Sequence, residues 1–151
     1  MTGIRLFASG SLAVGDLILM GMGIYFSFLR PSLLPEDARY MGATLGQIES
    51  AVPGLAPWPA RVFGVLGGFL FATGLLTFLV AATNFRARRP GGAIAIVAIA
   101  GVTSIGWMAF TNFLINSDLK WLLLAFTLPW VVALVLSWAS EWRLASTRSR
   151  T

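Results

Sequence analysis

The sequence predicts an all-α fold: an integral membrane four-helix bundle with a short amphipathic external helix between its first and second spans. Three observations predict it. Four apolar stretches each reach the roughly 20 residues that a helix needs to cross hydrocarbon at about 1.5 Å per residue. Hydrophobic residues make up 57% of the 151 residues and charged residues only 11%, too little polar surface to cover a water-soluble monomer. The basic residues gather at the ends of the apolar stretches instead of forming one stripe with interleaved aromatics, so a net charge of +5 does not point to nucleic acid.

The spans are expected at about 6–29, 62–84, 93–115 and 121–140, within a single membrane domain 1–151, with an external loop at 30–61. A basic start in MTGIR raises a signal peptide as a second reading of span one. Its length, an acid inside the apolar run and the lack of a small-residue cleavage site argue against that. Arg5, Arg86, Arg88, Arg89, Arg143, Arg148 and Arg150 fall on one side of the spans, and Arg30, Arg39, Arg61 and Lys120 on the other. The positive-inside rule therefore places both termini in the cytoplasm. Ten of the eleven basic residues are Arg, as expected of a GC-rich bacterial genome, and the expected location is a bacterial inner membrane. Trp58 and Trp121 mark the outer interface, Trp138 and Trp142 the inner one, while Trp107 and Trp130 are read as packing residues.

Short links, FRARRPGG and NSDLK, make spans two and three, and three and four, antiparallel neighbours. Small residues such as Gly15, Gly64, Gly67, Gly68, Gly74 and Gly101 allow close approach, with Gly64 and Gly68 at the GxxxG spacing. Pro129 removes a backbone bond to Ala125 and is expected to bend span four.

Asp16, about ten residues into span one, is the only acid in the middle of a span. An aspartate at that depth costs about 2.5–3.5 kcal/mol on insertion scales, so it must face the bundle interior or a wet cavity. No Lys or Arg lies within a span to pair with it. Thr73 and Thr77 of span two and Thr103 and Ser104 of span three lie at matching depth and are its expected hydrogen-bond partners. Two readings follow: a neutral polar clasp that fixes helix register, which is favoured, or a proton- or cation-coupled binding site.

In the loop, Pro35, Glu36 and Asp37 read as the first turn of a helix, with proline at its start and acids favoured by the helix dipole. Met41, Leu45, Ile48 and Val52 recur on one face, and Pro53-Gly54 stops the run. One amphipathic helix is expected, followed by a proline-stiffened return, PGLAPWPAR. Glu36, Asp37 and Arg39 invite a reading as an acid pair with an orienting base, but neighbours on a helix do not face one another, so capping and local ion pairing are expected instead. Glu36, Asp37, Arg39, Tyr40 and Trp58 are the candidate interaction residues of this loop.

The run RVFGVLGGFLFATGLLTFLVA, with Arg61, Gly67, Gly68 and Gly74, resembles the second helix of small bacterial four-helix membrane proteins of unknown function, which implies a similar bundle and no activity. An acid in the first of four short helices also looks like the small multidrug-resistance transporters, in which such an acid binds protons and cationic drugs; that role would fall on Asp16. The 32-residue loop departs from their pattern.

With no His and no Cys, the usual nucleophile–base pairs, zinc sites and imidazole ligation are removed, so no metal, no cofactor and no enzymatic activity are expected. The leading expectation is a non-enzymatic membrane protein that acts as an accessory or assembly partner of another membrane protein or of itself, in contact with the lipid bilayer. The alternative is a small oligomeric proton- or cation-coupled transporter that uses Asp16.

Overall fold

The computed structural model describes residues 2–87 and 92–148. Six α-helices follow in order: α1 Thr2–Ile24, continued by a π-helical turn Tyr25–Leu29, then α2 Pro35–Tyr40, α3 Leu45–Ala51, α4 Pro57–Ala87, α5 Gly92–Leu114 and α6 Lys120–Arg148. Four of these, starting with α1 and its π turn, are long and apolar enough to cross a membrane, over Leu6–Leu29, Pro57–Thr83, Ala95–Leu114 and Lys120–Ser140. Among the described residues there is no strand.

Local chemistry sets the helix ends. The π turn stops at Arg30, whose extended backbone (ψ 125°) is what a residue before proline adopts, since Pro31 crowds the helical region. Helix α4 begins earlier than the sequence suggests: Pro57 and Pro59 occupy its first turn, where a missing N–H costs nothing, so part of the proline-rich return is already helix. Helix α5 ends in a Schellman turn. Asn116 takes the left-handed conformation (φ 51°), Ser117 N–H bonds the Asn112 carbonyl (2.9 Å), and Asn116 N–H bonds that of Phe113 (3.2 Å).

The single amphipathic helix expected in the loop is two helices. Gly42 (φ 72°) ends α2 with the same turn: its N–H bonds the Arg39 carbonyl and that of Ala43 bonds Ala38, both at 3.1 Å. Thr44 and Gln47 then start α3 as a reciprocal capping box, Thr44 N–H to Gln47 Oε1 at 2.8 Å and Gln47 N–H to Thr44 Oγ1 at 3.2 Å. The chain turns between Met41 and Leu45, so the expected apolar stripe does not form. Ile48 is buried, whereas Met41, Leu45 and Val52 are exposed.

Helix α1 is central, packed against α4 on one side and α6 on another, and α5 packs on α6. Helices α4 and α5, expected as close neighbours, touch little. The reason lies in the small residues. Gly67, Leu70, Gly74, Thr77 and Ala81 recur three and four apart and turn one stripe of α4 toward α1. A side chain at Gly67 would strike the Ser27 hydroxyl, one at Gly23 would lie 2.6 Å from the Phe71 nitrogen, and one at Gly74 would lie 2.9 Å from the Asp16 carbonyl. The expected Gly64-x-x-x-Gly68 pair is not the packed one: Gly68 has nothing near it, and Gly64 offers its carbonyl to the Ser27 hydroxyl (3.4 Å).

The core centres on Trp130 of α6, 1% exposed and seated between Gly15 of α1 and Gly101 of α5. A Cβ at Gly15 would lie 2.7 Å from its ring, and one at Gly101 would overlap it. Leu12, Leu19 and Ile105 complete this layer. Immediately before it, α6 continues through Pro129, whose carbonyl accepts a hydrogen bond from Ser11 Oγ at 2.8 Å and ties α1 to α6. Trp107, expected to pack, is instead 70% exposed beside Phe110.

Candidate functional site

Among the described residues two acids are buried, at different places, and each is positioned by the packing just described. Asp16 lies on α1 where Gly74 lets α4 come close, and is fully enclosed (0% exposed). The Thr77 hydroxyl donates to Asp16 Oδ1 at 2.7 Å and also lies 2.9 Å and 3.1 Å from the Thr73 and Gly74 carbonyls. Thr77 is the next member of the α4 stripe after Gly74, which is why it, rather than Thr73, meets the acid. Asp16 Oδ2 has no hydrogen-bond partner among the described residues, and the Trp130 indole lies beside the carboxyl.

Of the five residues expected to form the intramembrane polar cluster, the structure joins Asp16 and Thr77. Thr73 is exposed and contributes only its carbonyl. Thr103 bonds the Ile99 and Ala100 carbonyls of its own helix, and Ser104 bonds that of Gly101. Serine and threonine do this readily in helices, satisfying the hydroxyl without a tertiary partner.

The second acid, Glu36, is 5% exposed at the start of α2. The Schellman turn after α5 presents Ser117, whose hydroxyl donates to Glu36 Oε1 at 2.9 Å while accepting from Leu119 N–H at 3.1 Å. Its neighbour Asp37 faces elsewhere. It accepts from Leu34 N–H at 2.8 Å, capping α2, and from Arg30 at 3.3 Å. The Arg30 guanidinium, about nine-tenths buried, stacks 3.6 Å from the Phe63 ring centroid and donates to the Pro31 carbonyl at 2.9 Å. A desolvated cation over an aromatic face is worth about 2 kcal/mol, so Arg30 fastens the link to α4. Arg39 pairs with Asp118 at 3.0 Å on the surface. Glu36, Asp37 and Arg39 thus point to three different partners and do not converge as an acid–base set.

Tyr40 and Trp58, both about two-thirds exposed, flank a shallow hollow of about 280 Å³ with Met41, Pro59 and Ile115. A larger cavity of about 580 Å³ opens where α4 and α5 diverge, between Phe63, Leu66 and Leu70 on one side and Ser104, Trp107 and Met108 on the other. Arg30, Glu36 and Asp37 form its roof. Hydropathy does not reveal this cavity, because its apolar walls read as ordinary span residues. The signals that were present are Gly42 and the Thr44-x-x-Gln47 box, which fold the link over its end.

No family model, curated protein or solved structure matches this chain. Among the described residues no three metal-ligating side chains gather. The two buried acids differ in setting: Asp16 lies in the packed core, and Glu36 lines the cleft.

Proposed function

We propose that the chain is a non-enzymatic four-span integral membrane protein, both termini cytoplasmic in a bacterial inner membrane, which serves as an accessory or assembly partner of another membrane protein. The surface of its long helices supports immersion in lipid. Only 22% of the α4 span and 28% of each of the others is buried, and large apolar side chains such as Phe69, Leu76, Ile99, Leu128 and Val135 stand outward on every helix. Contiguous apolar surface on that scale is not tolerated in water. Tyr40, Trp58 and Trp121, all exposed near the α2 end, suit the level of a headgroup belt.

The observation that carries the non-transport role is the enclosure of Asp16. A carboxyl with no exposed surface, beside the Trp130 indole and held by Thr77, acts as a clasp between α1 and α4. The unpartnered Oδ2 favours the second reading, a small oligomeric transporter in which that oxygen takes a proton or cation. Two measurements test the choice. Mild-detergent purification is expected to bring a second membrane protein with the chain, and a consistently solitary monomer would count against the accessory role. In proteoliposomes, Asp16→Asn is expected to fold normally. A pH-dependent flux that this substitution abolishes would establish the transporter instead.

A further inference from the structure

We propose that the cleft between α4 and α5 binds one membrane lipid whose headgroup bears a primary ammonium, with an acyl chain in the cleft and the ammonium on Glu36. The inference rests on immersion in a bilayer, and goes beyond the accessory role. Depth is the first support. The lining runs along α5 from Ser104 to Asn112 and on to Ile115 just past the helix end, about 16 Å at 1.5 Å per residue, close to half of a roughly 30 Å hydrocarbon layer. A cleft of one-leaflet depth, open sideways where α4 and α5 separate, admits a lipid chain without passage through water.

Polarity is the second support. The walls are apolar, among them Met22, Phe26, Leu66, Leu70 and Met108, while the charged residues sit together at the α2 end. Lipids have this same arrangement, apolar along the chain and charged at one end.

Glu36 is the third, and it selects the head. A carboxylate offers about four lone-pair sites, of which the Ser117 hydroxyl uses one at Glu36. Glu36 lines the cleft, is 95% buried on its 5% exposure, and accepts from Ser117 at Oε1. Among the described residues, ion pairs join Arg30 to Asp37 and Arg39 to Asp118, and none reaches Glu36. Arg30 is engaged by Asp37, the Pro31 carbonyl and the Phe63 ring, so it does not serve as the counter-charge. The remaining capacity of Glu36 suits a donor that carries positive charge. A primary ammonium supplies three N–H groups, a quaternary one none, and a glycerol head no charge to offset the carboxylate.

The full chain, purified in detergent and stripped of lipid, would be titrated with phosphatidylethanolamine, phosphatidylcholine and phosphatidylglycerol of identical chains, and bound lipid counted by native mass spectrometry. One ethanolamine lipid per chain is expected, retained about tenfold better than the other two, the equivalent of one charge-assisted hydrogen bond. Glu36→Gln keeps an acceptor for Ser117 and is expected to remove that preference while still binding a chain. Ser104→Trp, which fills the cleft, is expected to remove binding of all three. Equal retention of the three lipids by the native protein overturns the proposal even if neither variant folds, and so does an ethanolamine preference that persists in Glu36→Gln. A protein that stays in the membrane through an alkaline wash yet shows no preference leaves immersion standing and sinks only the lipid site, whereas release by that wash sinks both.

Discussion

Asp16 and Glu36 are both carboxylates with almost no exposed surface, yet their surroundings differ in kind. Asp16 sits in a closely packed layer: Gly74 brings α4 against it, Trp130 occupies the space between Gly15 and Gly101, and Thr77 supplies a hydrogen bond to Oδ1, while Oδ2 has no partner among the described residues. Glu36 sits at the rim of an unfilled space of about 580 Å³, because α4 packs on α1, leaving a gap to α5 at that end. Burial by itself therefore does not make a site. What separates the two acids is the space beside them: Asp16 is closed in by the packed helices, whereas Glu36 borders a cavity.

That contrast is broken most forcefully by opening the Asp16 shell. Trp130→Ala removes the largest side chain of the core and leaves a void beside the carboxyl, with an expected loss of about 3–5 kcal/mol in denaturant unfolding in detergent. Gly101→Ala tests the same layer from the other wall. Its Cβ overlaps the indole, so the ring or α5 must shift, and the expected cost is about 1–3 kcal/mol by the same measurement.

Removing the acid itself sharpens the contrast. Because the Thr77 hydroxyl already lies within reach of the Thr73 and Gly74 carbonyls, it stays bonded in Asp16→Ala, and a loss of about 1 kcal/mol is expected in the same unfolding assay. A loss as large as that of Trp130→Ala would mean that the acid, and not the indole, holds this layer. The smallest effect belongs to Arg39→Ala. Its pair with Asp118 is exposed, so the free energy of unfolding is expected to change by no more than about 1 kcal/mol, with α2 still held by Arg30 and Ser117.

The elements differ in how legible they are from sequence. The four long helices follow from hydropathy because length and composition alone decide them, and the α2 start follows from Pro35, Glu36 and Asp37. The break between α2 and α3 was written in Gly42 and in the Thr44-x-x-Gln47 spacing. It was hidden by apolar residues that happen to match one helical face across the gap. The α4 stripe of Gly67, Gly74 and Thr77 is also present in the sequence, but the GxxxG spacing falls one residue away, on Gly68, which packs on nothing. Choosing between Thr73 and Thr77 needed the orientation of that stripe toward α1.

Other features depend on tertiary partners that no local pattern encodes. Trp130 and Trp107 read alike in sequence, both deep in a span. One is 1% exposed and the other 70%, and the difference comes from Gly15 and Gly101 meeting around the first. Likewise the partnership of Glu36 with Ser117 spans 81 positions and depends on the left-handed turn at Asn116. Arg88, Arg89 and Arg150, used in the orientation argument, lie outside the described residues.

The proposed role depends most on the passage of four helices through a bilayer with α2 and α3 on the outer side. The native chain has no Cys, so a single introduced cysteine is a sole reporter, and Gly3 and Gly46 both have open space for one. In intact cells a membrane-impermeant maleimide is expected to label Gly46→Cys and to leave Gly3→Cys unlabelled until the membrane is opened. Labelling of both positions alike in intact cells, or of Gly3→Cys alone, would contradict the account.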